Sequence, residues 1–229
     1  LDKIEKIKFQ RQLCEQVVIP ENREKSYFPE NGDIIFSMDI QYKNDIGYVA
    51  IDILTYPNTP IGIYTQQVAV IDEYEPGLFS FREGPLLLTA IKAITKNKGI
   101  KPNLLIIDGH GIAHPRKFGV ASYLGVLTDL PSIGIAKKTL LKYDGTLDEK
   151  RGSRLLVLLE EEIVGKVLRT QNATNPIFVS SGHRIHLDIA CELALELAPN
   201  YKNIEPIRRA DQYARLFAKG EIEAGFLEY

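Results

Sequence analysis

The chain has 229 residues, 28 Lys+Arg against 30 Asp+Glu, a formal net charge of −2 and 45% hydrophobic residues. This composition supplies a substantial core and excludes a disordered tail protein and a polybasic coat, so any nucleic-acid binding must come from a local patch. No apolar run approaches the roughly 20 residues that span a bilayer and no signal-peptide pattern opens the chain, so a cytoplasmic protein without membrane contact is expected.

Ile4, Ile7, Cys14, Val17 and Val18 recur at helical intervals, which predicts an amphipathic helix over 4–18 that ends near Pro20. Stretches 34–40, 47–54 and 64–71 are rich in Ile, Val and Tyr, and Asn44-Asp45 and Pro57-Asn58 punctuate them. They read as an antiparallel meander. Pro85 to Lys96 reads as a buried helix with lysines on its outer face. Leu104-Leu-Ile-Ile-Asp108 is a continuous apolar run, as expected of a strand covered on both faces. A short helix is predicted over 117–127 and another buried strand over 132–136. A hairpin around Glu160-Glu161-Glu162 and an extended segment at 176–180 come next. Helices near 184–197 and 206–219 close the chain, the last with Pro206 in its first turn and Gly220 past its end. Cys14 and Cys191 lack CxxC spacing and offer neither a disulfide framework nor a zinc site. The order predicts a single α/β domain over 1–229, its core at about 10–220, built on a mixed sheet flanked by helices.

Carboxylates that interrupt apolar strands are the first chemical signal. Asp39 lies inside Ile-Ile-Phe-Ser-Met-Asp-Ile, and Asp108 ends its strand before Gly109. Such groups are costly unless hydrogen-bonded, paired or on a metal, although each alone also fits a turn cap. A first-strand Asp39, a Glu83 beside the first long helix and a strand-ending Asp108 follow the order of the ribonuclease-H-like architecture. There, three carboxylates converge to hold Mg²⁺. All-oxygen ligands suit Mg²⁺ or Mn²⁺ rather than zinc.

The segment Asp108-Gly-His-Gly-Ile-Ala-His-Pro-Arg-Lys117 adds glycines that let backbone approach a ligand. His114, Arg116 and Lys117 offer donors to phosphate. It is neither a dinucleotide fingerprint nor a P-loop. Lys137 follows a buried strand more closely than Lys138 and is the better placed to reach a site. His183 and His186 occupy another strand-end loop, and no Gly-x-Ser-x-Gly elbow exists for a serine hydrolase.

Read together, Phe36-Ser-Met-Asp-Ile40, Tyr74-x-Pro-Gly-Leu-Phe-Ser-Phe-Arg-Glu-Gly-Pro85, Ile107-Asp-Gly-His-Gly-Ile-Ala-His-Pro-Arg116, Gly134-Ile-Ala-Lys137 and Pro176-Ile-Phe-Val-Ser-x-Gly-His183 closely resemble the endonuclease V family. Glu205-Pro-Ile-Arg-Arg-Ala-Asp211 continues the match. The resemblance implies a ribonuclease-H-like fold and a Mg²⁺-dependent nuclease that cuts DNA at the second phosphodiester bond 3′ of deoxyinosine. Inosine-containing RNA is the alternative substrate, and a monomer is compatible with all of this. Asp39 and Asp108 would be metal ligands and Glu83 the third acid. Lys137 would stabilise phosphate charge, and His183 would lie near the metal. Tyr74, Pro76, Gly77, Leu78 and Phe79, with Gly109, Gly111, His114, Arg116 and Gly119, would bind the substrate, Tyr74 as a strand-separating wedge. The sequence departs from the family pattern at Glu73 and Glu75, which add charge to that wedge.

Overall fold

The computed structural model describes residues 3–70 and 78–229. Tyr74, Pro76 and Gly77, with Glu73 and Glu75, lie outside the described residues. The meander is present as β1 (Ile34–Lys43), β2 (Ile46–Thr55) and β3 (Thr59–Ala69). Asn44 and Asp45 both take positive φ, 50° and 57°, which gives the hairpin a turn that follows the strand twist. β4 (Leu104–Asp108) and β5 (Ser132–Ala136) run parallel to β1. β6 (Arg154–Leu159), β7 (Glu162–Leu168) and β8 (Ile177–His183) extend the sheet antiparallel. β9 (Gly225–Glu228) closes the other edge, giving the order β6-β7-β8-β5-β4-β1-β2-β3-β9. This is a ribonuclease-H-like mixed sheet flanked by helices.

Strand alternation divides the core in two. Phe36, Met38, Leu105 and Ile107 point to one face, where α1 (Lys3–Cys14), α2 (Phe79–Lys98) and α3 (Val120–Thr128) cover them. Ile35, Leu104 and Ile106 point to the other, under α4 (Leu187–Glu196) and α5 (Glu205–Lys219). Two expectations need correction, and one strand is additional to them. α1 ends at Cys14 and not near Pro20. α2 starts at Phe79, so Pro85 lies inside it and Glu83 is a helix residue, not a neighbour of one. β9 was not expected at all. Among the described residues no helix is long and apolar enough to cross a membrane.

Candidate active site

Parallel pairing fixes the centre of the site. Met38 is level with Ile107, so the next residues, Asp39 and Asp108, emerge side by side at the same end of the sheet. Both continue the strand parity that faces α5. There Asp211 meets them: its carboxyl stands against Asp39 and its charge bears on Asp108, raising the proton affinity of both. Asp211 also accepts from Arg215 at 3.1 Å and from Gln41 Nε2 at 3.4 Å. Glu83 arrives from α2, buried, with Oε1 accepting from the Tyr42 hydroxyl at 3.3 Å. Arg82 lies over the Tyr42 ring, 4.5 Å from its centroid.

Crowding raises the proton affinity of this cluster. Burial, then Asp108, then the contact with Asp211 push the Asp39 carboxyl up to about 7. Burial and the charge of Asp39 hold Glu83 well above the carboxylate range. Burial raises Asp108 too, opposed by Lys137, whose Nζ is 2.9 Å from Asp108 Oδ2. Burial works against the Lys137 ammonium, yet Asp108, joined by Asp211 and Asp39, holds the group above its ordinary value.

Asp39 Oδ2 is buried without a hydrogen-bond partner. A bare carboxylate oxygen among three other acids is an unfavourable arrangement that a cation would relieve. The donor set, all oxygen, fits a hard divalent ion. Among the described residues no three acidic, His or Cys groups already converge as a finished cage. Asp108 and Glu83 are engaged by Lys137 and Tyr42 instead.

Beside the acids lies a cavity of about 320 Å³, lined among others by Phe79, Ser80, Gly109, His110, His114 and Gly119. The loop after β4 is held there by close backbone packing. A Cβ on Gly119 would stand 2.2 Å from the His110 carbonyl oxygen, and one on Gly134 would stand 2.5 Å from the Gly111 nitrogen. His110 and His114 are both pushed down to about 4, chiefly by burial, so they are neutral near pH 7.

The expected substrate residues divide. Phe79, Gly109, His114 and Gly119 line the cavity. Gly111 instead faces β8, where a Cβ would stand 2.1 Å from the Ser181 carbonyl oxygen. Leu78 packs in the core. Arg116 turns to α1, its Nε donating to Gln10 Oε1, and Lys117 pairs with Glu162. His114, buried and neutral, accepts from the Arg116 backbone N–H at 3.1 Å and is no phosphate cation.

His183 is not brought to the acids. β8 runs antiparallel to β5, so His183 pairs with Ser132 at the start of β5, while Asp108 pairs with Ile135 near its end. His183 Nδ1 accepts from the Val18 N–H at 3.1 Å, and Nε2 faces Asp129 at 3.3 Å. It ties the segment after α1 to the sheet. Sequence reasoning missed Asp211 as a site residue, and Ser80 and His110 in the cavity. For Asp211 a signal existed: a carboxylate between Ile207 and Ala214 on the buried face of an amphipathic helix.

Comparison with known proteins gives the family and the fold. The Endonuclease V family profile matches residues 12–212. The Endonuclease V of Gloeobacter violaceus is 38% identical over 219 residues, 93% of this chain and 85% of that one. The crystal structure of Endonuclease V from Streptomyces avermitilis has a TM-score of 0.86 at 36% identity, covering 96% of this chain and 94% of that one. Endonuclease V of Ciona intestinalis, in complex with a 24mer DNA containing an inosine followed by a ribo-adenosine, shares the fold. Its TM-score is 0.81 at 22% identity, over 96% of this chain and 98% of that one. With the family profile spanning most of the chain and a relative 38% identical over 93% of it, this protein belongs to the Endonuclease V family and is a nuclease.

Proposed function

We propose that the protein is a divalent-cation-dependent endonuclease that cuts DNA at the second phosphodiester bond 3′ of deoxyinosine, opening the repair of deaminated adenine. The observation that supports this best is the partnerless, buried oxygen of Asp39 between Asp108 and Asp211. Asp39, Asp108 and Asp211, with Glu83, would hold Mg²⁺ or Mn²⁺. Such an ion, when bound, supplies Lewis-acid polarisation of the scissile phosphate.

The chain's own residues do the rest. Lys137 sits at the lip of the site with its side chain 46% exposed, so its ammonium is free to leave Asp108 for a phosphate oxygen gaining charge. The cavity excludes water around an extruded base, and Phe79 offers a ring edge or face for stacking. Hypoxanthine differs from adenine by a carbonyl in place of the amine and by a proton on the adjacent ring nitrogen. Neutral histidines and loop backbone groups can read that difference as hydrogen-bond donors and acceptors without adding charge.

The Ciona complex, with its ribonucleotide after the inosine, favours a second reading, an inosine-directed ribonuclease. One experiment addresses both. End-labelled duplexes carrying one deoxyinosine, matched adenine duplexes and inosine RNA are incubated with Mg²⁺, with Mn²⁺ or with EDTA. Cleavage of the deoxyinosine strand, absent with EDTA and lost in Asp108→Asn, is expected. Faster cleavage of RNA would install the second reading. Full activity of Asp108→Asn, or equal cutting of adenine duplexes, would sink both.

A further inference from the structure

α2 and α3 carry a second groove at their C-terminal ends, of about 430 Å³. Ile91, Leu127 and Leu130 form its floor, and Lys92, Lys96 and Lys101 stand around it. Leu127 is 39% exposed, so the groove turns a large apolar side chain toward water beside the lysines. The sequence has no carboxylate between Glu83 and Asp108, yet four lysines, Lys92, Lys96, Lys98 and Lys101, fall in that stretch. Lys98 lies over the Phe226 ring, while the three rim lysines form no ion pair among the described residues. The nearby Asp129 is already bonded to Arg184 and His183.

We infer that this groove docks an acidic segment of a partner protein, one that places two neighbouring large apolar side chains on the floor and carboxylates against Lys92, Lys96 and Lys101. Each half of the surface calls for one half of that ligand. The floor gains by losing water to apolar side chains, and unpaired cations on a chain of net charge −2 select negative charge. A phosphodiester backbone would satisfy the lysines but leave the floor wet, so nucleic acid is the poorer occupant. The site is also remote from the chemistry. Lys96 lies roughly 20 Å along α2 from Glu83 at the rise of an α-helix. The base cavity uses the opposite ends of both helices, through Phe79 and Val120. A partner can therefore stay bound while DNA is cut.

The test is fluorescence polarisation of a short labelled peptide, a run of aspartates followed by Leu-Phe, titrated with the full chain at low salt. Saturable binding is expected. It should weaken roughly tenfold or more when Lys92→Glu and Lys96→Glu are combined, and similarly with Leu127→Asp or with Ala-Ala in the peptide. Cleavage of deoxyinosine DNA by these variants should match that of the parent. Absence of saturable binding, binding indifferent to the lysine reversals, or displacement of the peptide by an undamaged duplex would overturn the inference. The last outcome would assign the groove to nucleic acid. Peptide binding is read without cleavage, so failure of the nuclease reading leaves this result intact.

Discussion

Neighbouring lysines in Ile135-Ala-Lys-Lys-Thr139 have opposite surroundings. Lys137 pairs with Asp108, whereas Lys138 forms no ion pair among the described residues and meets the site through its backbone, against His110. Lys137→Ala should lower single-turnover cleavage by about 10²–10³-fold, the usual loss when a charge-stabilising donor is removed, and Lys138→Ala should change it little. Similar losses in both, or a change in affinity alone, would remove Lys137 from the chemistry. Gly111 gives a prediction of a different kind. It does not line the base cavity, and a methyl group there meets the backbone of β8. Gly111→Ala should destabilise the fold by about 1–3 kcal/mol, seen as a lowered melting temperature, with activity falling because the loop after Asp108 shifts. Phe79→Ala, at the cavity wall, should weaken binding of inosine DNA with little effect on melting. If Gly111→Ala melts normally and only loses substrate, Gly111 belongs to the pocket after all. The strand-bound acids Asp39 and Asp108 were legible because each breaks an apolar run. The placement of His183 was not. A Gly-His at a strand end does not say which end of the sheet it occupies, and antiparallel pairing of β8 sent it away from the acids.

Elements were readable where the pattern was long. The continuous run at β4 and the Pro-to-Gly frame of α5 fall within a residue or two of expectation. α2 was misplaced because Gly84-Pro85 looks like a helix start, yet the helix begins six residues earlier, at Phe79. β9 is four residues long, too short for a period-two signal, and pairing with β3 defines it. Gly62 makes room there: a Cβ would stand 2.5 Å from the Leu227 carbonyl oxygen. A buried charge cluster then locks two elements to the meander. Asp52 on β2 has no exposed surface and accepts from Arg209 of α5 through both oxygens at 2.9 Å and from the Tyr229 hydroxyl at 2.7 Å. Burial pushes the Asp52 carboxyl up, against the pull of Arg209. Arg209→Ala would leave a charge without its partner and should cost about 3–5 kcal/mol, while Tyr229→Phe should cost about 1–3 kcal/mol. Because Arg209 is two positions from Asp211, its loss should also slow cleavage beyond what unfolding explains. Chemical denaturation and cleavage at a temperature where each variant is fully folded separate the two effects. Equal stability of Arg209→Ala and parent would show that the pair does not hold α5.

At the scale of the whole molecule, the acid cluster makes stability depend on pH and on cation together. Asp39 is pushed up to about 7 from 3.8, and Asp108 and Glu83 also move upward. A carboxyl raised in the fold holds its proton where the unfolded chain has released it. Between about pH 4 and pH 7 the folded state therefore binds more protons than the unfolded state. By linkage, the contribution of the cluster is full below the unfolded value and is lost as pH climbs through the folded one. The slope is about 1.4 kcal/mol per pH unit for each fully displaced group. In EDTA the protein should thus lose cluster stability from about pH 4 to about pH 7. A divalent cation takes the place of those protons only where they have left, so its stabilising effect should be small at pH 5 and large at pH 8. Melting temperatures in EDTA and in Mg²⁺ across that range measure both curves. Other titrating groups cancel in their difference, and Asp39→Asn should flatten it. A Mg²⁺ shift of equal size at pH 5 and pH 8, or one that survives unchanged in Asp39→Asn, would mean the ion binds elsewhere.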